Sequence, residues 1–426
     1  MSEGKLMNRW WVVLGAILIQ LCLGAIYAWS VFTTDLQKPP YNFSKADTQV
    51  IFGVELAAFA FVMIVAGRMQ AKFPPRRVAM LGGLVMGCGY AATRLVGSSF
   101  LGHVLTIGLI GGAGIGMGYV VPIAVGVKWF PDKKGLVAGL AVAGFGFGAL
   151  LWVKLAGAWG HLIEQLGVAN VFLVYGIGFA VIVLVGSTWM VNPPAGYKPA
   201  GWNPPAAGAG KASGAVDVSS SQMLRTPQFC ALWVMFFCGA MAGLMVIGVI
   251  KLFSTETLKH SGLTETAAKA AAETAMGVCF ALANGFGRIL WGLISDKVGR
   301  KPSLFVMFLV QGVVMLCFYP MGFHEELLYL AAILAGFNFG GCFALFPAAT
   351  ADFFGNKNVG PNYGWVFSAY GVGGIVGPIV AGKFGDFAQR SGQISQWLAP
   401  FVLVGIACLV AAVLALMLKP PVHKEA

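Results

Sequence analysis

An arginine and an asparagine one helical turn apart are the residues of this chain best suited to bind a charged ligand. Arg288 lies in the apolar run CFALANGFGRILWGLI, and no acidic residue stands near it in sequence. A full charge in hydrocarbon costs about 2.5–3.5 kcal/mol on insertion scales, so such charges are generally partnered and functional. Asn284 lies four residues earlier, on the same face of a helix. The pair therefore predicts a receptor for a carboxylate that a ligand supplies.

One acidic residue is also embedded in apolar sequence. Glu55, in the run VIFGVELAAFAF, lies about 12 Å from the outer end of its segment at 1.5 Å per residue. A buried carboxyl can exchange its proton, so Glu55 is the candidate for proton coupling, with interhelical hydrogen bonding as the alternative. For Arg288, about 10 Å from the inner end of its segment, the alternative is a structural charge that snorkels to water.

These residues must be positioned by membrane-spanning helices. Of 426 residues, 58% are hydrophobic and 10% are charged, and apolar runs of about 20 residues recur throughout, which excludes a soluble globular protein. We predict an all-α integral membrane protein with twelve spans, near residues 10–32, 48–69, 78–96, 101–127, 136–158, 168–191, 228–253, 268–294, 303–321, 327–350, 362–384 and 397–418.

The net charge of +12 follows the predicted topology and gives no indication of nucleic-acid binding. With both ends inside, 18 of the 28 Lys and Arg residues fall on the cytoplasmic side and eight on the outer side. This asymmetry is the positive-inside rule. It predicts a multi-pass protein of the plasma membrane (the inner membrane of the cell) with both termini in the cytoplasm.

The sequence gives no indication of a cofactor, a metal or an enzyme. All eight cysteines fall within the predicted spans and none has metal-ligand spacing, so they indicate apolar packing. The run GGAGIGMG also lies within a span, which favours close helix packing over a dinucleotide loop. A membrane enzyme would need clustered Asp, Glu or His residues, which the spans lack; a sensor that binds ligand without moving it remains an alternative.

The chain divides into two similar halves. A Pro-, Gly- and Ala-rich stretch at 192–226 predicts a cytoplasmic linker between six-span domains at 1–191 and 227–426. The loop GRMQAKFPPRR after the second span matches GLISDKVGRKP after the eighth, with Gly67 opposite Gly292. Two parallel six-span repeats are typical of transporters whose substrate site lies near the midplane.

Several motifs resemble known transporters. GLISDKVGRK resembles the loop signature of the major facilitator superfamily, which implies an inner-gate latch at Asp296, Arg300 and Lys301; in the first half, Ala71 replaces the Asp. WFPDKKGLVAG, NPPAGYKPAGW, MLRTPQF, ALFPAATADFFG and NYGWVFSAYG are similar to the oxalate/formate antiporter family, the bacterial branch that resembles monocarboxylate transporters. The resemblance implies the major facilitator fold, with 12 transmembrane helices in two six-helix bundles around a central cavity, and a monomer.

The resemblance also implies a substrate site. In that family an Arg on the eighth span binds the substrate carboxylate, and Arg288 matches it. Aromatic residues wall the cavity, and the matching positions are Tyr27, Tyr119, Phe339, Phe343 and Phe367. Oxalate-selective members carry a Lys where this chain has Tyr370, and animal-type monocarboxylate transporters carry an Asp where it has Asn284. A dianion is best held by two cations, so these departures favour a monocarboxylate and weaken the case for proton symport through the Arg pair.

We therefore expect a secondary active transporter of small monocarboxylates of the lactate, pyruvate or formate type, working by alternating access and coupled to protons. An oxalate/formate-type anion exchanger is the alternative. The expected partners are a small carboxylate anion, a proton or counter-anion, and the lipid bilayer.

Overall fold

The computed structural model describes residues 7–157, 159–199, 201–202 and 217–419, and these contain helices but no strands. Within them, twelve helical segments are long and apolar enough to cross a membrane. We label them α1 to α12: Trp10–Ala28, Val50–Lys72, Pro75–Leu95, Phe100–Trp129, Lys134–Ala156, Val168–Ser187, Pro227–His260, Glu265–Val298, Arg300–Met321, Glu325–Phe354, Val359–Gly385 and Ile394–Met417. The predicted twelve-helix fold is confirmed. Residues 200 and 203–216 of the predicted linker lie outside the described residues.

Helix ends follow from local sequence. Pro227 occupies the first turn of α7, where its missing N–H costs nothing, and the Thr226 hydroxyl caps the helix by accepting from the Phe229 backbone N–H at 3.1 Å. Gly299, with φ of 101°, ends α8 and begins α9 in a backbone conformation that other residues rarely adopt. The span was predicted to end at 253, where the apolar stretch ends. Helix α7 continues through the polar residues beyond it and ends at His260.

Two of the described segments within the membrane helices have π-helical hydrogen bonding. Val104–Gly111 within α4 and Ala275–Phe280 within α8 are π-helical. Such segments are rare and recur at functional sites. The one in α8 ends four residues before Asn284, so it lies directly beside the predicted carboxylate receptor.

The described chain forms two compact units. The first contains Met1–Asn203 and Asn356–Trp365, and the second contains Pro204–Gly355 and Val366–Ala426. Residues Asn356–Trp365, which include the start of α11, therefore pack with the first unit, and the predicted domains at 1–191 and 227–426 stay a prediction. There a Cβ on Gly67 would lie 2.7 Å from the Gly360 carbonyl oxygen, which shows how closely the two backbones approach.

The two units repeat the same helix pairings. In the first unit α2 packs on α4 and α3 packs on α6, and in the second α8 packs on α10 and α9 packs on α12. These pairs are equivalent when each helix of the first half is matched to the one six places later. The repeat seen in the loop sequences therefore extends to the packing of the helices.

Candidate substrate-binding site

The Arg288 side chain is fully buried within the second unit. Its Nε donates to the Asn284 Oδ1 at 3.2 Å, and its guanidinium carbon lies 4.2 Å from the centre of the Phe343 ring. A guanidinium carries five N–H donors in a fixed fork that matches a carboxylate. Asn284 and Phe343 thus hold the positively charged fork from two sides, on α8 and on α10.

The close contact of α8 with α10 fixes this geometry. A Cβ on Gly340 of α10 would collide with the Asn284 carbonyl oxygen and would lie 3.1 Å from the Arg288 backbone nitrogen. A glycine is therefore needed at this position for the helices to approach as they do. The approach brings Phe343, less than one turn further along α10, onto the face of the guanidinium.

The remaining predicted residues of the second unit form one aromatic cluster with Phe343. Its ring packs edge-on against Phe339 at 5.1 Å between centroids and against Tyr370 at 5.5 Å. Tyr370 in turn lies 4.9 Å from Phe367. The structure thus brings Arg288, Asn284 and these four rings together, although they come from α8, α10 and α11.

A further ring of this cluster was not predicted from the sequence. Phe236 of α7 is fully buried and lies between 5.8 and 6.4 Å from the centroids of Phe343, Phe367 and Tyr370. Thirty-two residues of the chain are Phe. No local signal distinguishes this one, because its neighbours are set by packing between distant segments.

In the first unit, the structure joins the two predicted tyrosines through a phenylalanine. Phe145 packs edge-on against Tyr27 and against Tyr119, at 5.2 Å in each case, and Phe59 lies 5.1 Å from Tyr119. The Gln20 side chain donates to the Tyr119 carbonyl oxygen at 3.0 Å, which ties α1 to α4. Tyr27 and Tyr119 thus belong to one aromatic cluster.

Glu55 lies in the same unit and is fully buried. The Tyr90 hydroxyl of α3 donates to its Oε1 at 2.8 Å. Among the described residues, its Oε2 has no hydrogen-bond partner and no cation pairs with it. An isolated ionised carboxylate in such surroundings is very costly, so the neutral acid is the form this environment favours.

Arg300, a residue of the predicted latch, is the centre of a group of ion pairs. Its Nη2 contacts Asp296 at 2.7 Å and its Nε donates to Asp352 at 2.7 Å, while its Nη1 donates to the Ser295 hydroxyl. The predicted Lys301 is exposed and makes no ion pair with any described residue. Asp352 was missed because it lies 52 residues beyond Arg300, at the end of α10.

The first unit has a different ion pair near its own helix ends. Arg9, just before α1, contacts Asp132 through two bonds of 2.7 and 3.2 Å and lies over the Phe130 ring at 4.3 Å. A bidentate Arg–carboxylate pair is among the stronger surface interactions. It joins the start of α1 to the loop between α4 and α5.

The described residues contain no group of three His, Cys, Asp or Glu side chains placed to hold a metal ion. What the arrangement offers is a buried cation on an aromatic surface in one unit and a buried acid in the other. Such a pair of sites can bind an anion and a proton.

Comparison with known sequences relates this chain to membrane transporters. A sequence profile described as the Major Facilitator Superfamily matches residues 9–278 and 263–426. An uncharacterised MFS-type transporter, YhjX of Escherichia coli, is 31% identical over 378 residues, which is 86% of each chain. The oxalate:formate antiporter of Oxalobacter formigenes is 29% identical over 98% of this chain and 93% of its own, and apicoplast pyruvate carrier 1 of Toxoplasma gondii is 24% identical over 85% and 81%.

Solved structures share the fold. The proton:xylose symporter XylE aligns with a TM-score of 0.68 and 14% identity over 95% of this chain and 94% of its own. The transporter FucP aligns with a TM-score of 0.66 and 15% identity over 95% and 99%. At these identities the likeness concerns architecture alone.

Proposed function

The chain belongs to the major facilitator superfamily, a family of membrane transporters, and we propose that it carries small monocarboxylates such as lactate, pyruvate or formate across the plasma membrane. The observation that carries this proposal is the fully buried Arg288, held between Asn284 and the Phe343 ring. We further propose that both termini lie in the cytoplasm, as the distribution of Lys and Arg indicates.

In this proposal the guanidinium of Arg288 binds the carboxylate through charge-assisted, bidentate hydrogen bonds. Asn284 orients the fork, and the aromatic residues of α10 and α11 receive the carbon tail. Without an anion the buried positive charge resists movement through apolar surroundings, because an isolated charge there is costly. A bound carboxylate neutralises it, which favours the conformational change that moves the substrate.

A monocarboxylate fits this site better than oxalate. The described second unit offers Arg288 as the cation within the aromatic cluster, and Tyr370 stands where the resemblance would place a Lys in oxalate-selective proteins. The similarity to a pyruvate carrier agrees with this choice. The similarity to an oxalate:formate antiporter favours the second candidate, an anion exchanger.

For the proton-coupled form, we propose that Glu55 carries the proton. Its full burial and its single hydrogen bond from Tyr90 support this role. Because no described cation pairs with it, protonation is the simplest way for this acid to become neutral.

The first test is uptake of labelled L-lactate into proteoliposomes under an inward proton gradient. Arg288→Ala removes at least two hydrogen bonds to a charged group, together worth roughly 3 kcal/mol or more, so uptake at low substrate should fall about a hundredfold. Arg94→Ala is the matched control, because Arg94 also donates its Nε to an Asn side chain but is exposed. Uptake that survives Arg288→Ala contradicts the proposal.

Coupling is tested separately by counterflow, in which an internal unlabelled anion draws in labelled anion without any gradient. Glu55→Gln should abolish gradient-driven accumulation and keep counterflow. Glu256→Gln should keep both; Glu256 is the control because it also accepts one hydrogen bond from an aromatic side chain, Trp397, at 2.7 Å. If wild type shows counterflow but no response to the gradient, the exchanger is the correct form.

A further inference from the structure

Phe236 is the ring on which the aromatic cluster of the second unit converges. It is fully buried on α7 and stacks on Phe346 at 4.4 Å with an interplanar angle of 8°. Phe343 and Phe367 approach it edge-on, at 6.2 and 5.8 Å, and Tyr370 lies at 6.4 Å. One side chain of α7 therefore supports rings from both α10 and α11.

Phe236 is connected to the Arg288 guanidinium through one intervening ring, that of Phe343. The guanidinium of Arg288 rests on Phe343, and Phe343 in turn meets Phe236 through its edge. The first carbons of an acid bound at Arg288 would lie within reach of this aromatic surface. The room left for further carbons then depends on how far the rings of Phe343, Phe367 and Tyr370 can shift, and Phe236 packs against all three.

We propose that Phe236 is a positioning residue that sets the length of the carbon tail this carrier accepts. The inference rests on the proposed function, since it concerns the substrate held at Arg288. Phe236 itself does not bind the carboxylate. It acts by holding Phe343 and Phe367 forward, because a close-packed interior leaves no space for them to move into. Truncation opens space that only partly collapses, and the aromatic wall can then yield to a longer tail.

The same unit contains a second buried phenylalanine that can be truncated as a control for Phe236. Phe318 of α9 is also fully buried and also stacks on one partner, Phe401, at 4.8 Å and 9°. Its aromatic neighbours include Phe253 at 5.9 Å. None of its ring contacts is with Phe343, Phe367 or Tyr370. Truncating it removes a comparable amount of buried surface without touching the proposed tail wall.

The experiment measures counterflow of straight-chain acids from formate to valerate in proteoliposomes for Phe236→Leu, Phe236→Ala, Phe318→Leu and Phe318→Ala. Each methylene in an apolar pocket changes discrimination by about tenfold or more. We expect the ratio of transport efficiency for valerate over formate to rise about tenfold in Phe236→Leu and further in Phe236→Ala. The efficiency for formate should change little, because the Arg288 fork is intact.

A double variant identifies the route of the effect. If Phe236 acts through Phe367, then Phe236→Leu should change the valerate-to-formate ratio much less in a Phe367→Leu background. The reason is that the energetic effects of substitutions at two residues in contact do not add. An unchanged tail-length profile in both folded Phe236 variants overturns the inference, as does an equal shift in the Phe318 variants. Wild type that carries none of these acids contradicts the proposed function itself, which is a separate outcome.

Discussion

Helices α2 and α8 occupy equivalent places in the two halves, yet they bury opposite chemistry. When Gly67 is matched to Gly292, Glu55 of α2 falls two turns before the position equivalent to Arg288 of α8. Both side chains are fully buried. The acid accepts one hydrogen bond from a neighbouring helix, whereas the arginine bonds within its own helix and rests on an aromatic ring.

Each helix has an apolar residue at the position where the other has its buried ionisable residue. Phe280 stands opposite Glu55, and Met63 stands opposite Arg288. Asn284, which orients the arginine, is matched by Phe59, a member of the first unit's aromatic cluster. The two copies of the framework therefore bury a carboxyl in one unit and a guanidinium in the other. In the proposed function, the proton and the anion are held in different units.

The largest effect is expected from a substitution of Arg288 that keeps the positive charge and removes the forked guanidinium group. Arg288→Lys should weaken lactate transport by roughly 2–3 kcal/mol, or about a hundredfold in the apparent affinity, because an ammonium cannot bind a carboxylate bidentately. Concentration dependence of uptake in proteoliposomes measures this. Met63→Leu in α2 should leave the affinity nearly unchanged, and equal effects of the two substitutions would remove the distinction between the helices.

A smaller effect is expected at the ion pairs of Arg300 and Arg9, where the units also differ. Asp352→Ala leaves the partly buried Arg300 with one carboxylate in place of two and should lower stability by roughly 1–3 kcal/mol. Asp132→Ala breaks the more exposed pair with Arg9 and should cost about 1 kcal/mol or less. Thermal unfolding in detergent compares the two, and a larger loss for Asp132→Ala would reverse the ranking.

The smallest effect is expected from removing the Tyr90 hydroxyl, which donates a hydrogen bond to Glu55. Tyr90→Phe removes one buried hydrogen bond, worth about 1 kcal/mol, and should lower gradient-driven accumulation several-fold while leaving counterflow intact. Tyr175→Phe is the control, because the Tyr175 hydroxyl donates to the Trp152 carbonyl oxygen elsewhere in the same unit. Loss of counterflow in Tyr90→Phe would assign the residue to the structure of the unit and not to coupling.

The sequence was sufficient for features that depend on local pattern. Apolar length predicted all twelve spans, and the four-residue spacing of Asn284 and Arg288 predicted that they could meet, as they do at 3.2 Å. The loop signature singled out Asp296 and Arg300, which form an ion pair of 2.7 Å; their role as a latch stays a prediction.

Features that depend on contacts between distant segments could not be predicted from it. Asp352 reaches Arg300 because α10 ends beside the start of α9, and Phe236 meets Phe367 because α7 packs near α11. The π-helical segments could not be predicted from hydropathy, because they are apolar like the membrane helices that contain them. Nor does a single sequence identify the substrate, which depends on the shape of the aromatic wall.

The π-helical segment at Ala275–Phe280 also affects how α8 should be probed by chemistry. The parts on either side of it, Glu265–Thr274 and Ala281–Val298, are ordinary α-helix, but the wider turns between them shift the rotational phase by about 100° for each inserted residue. A cysteine-accessibility scan along α8 would therefore show two reactive stripes out of register, and deleting one residue from the segment would merge them into a single stripe.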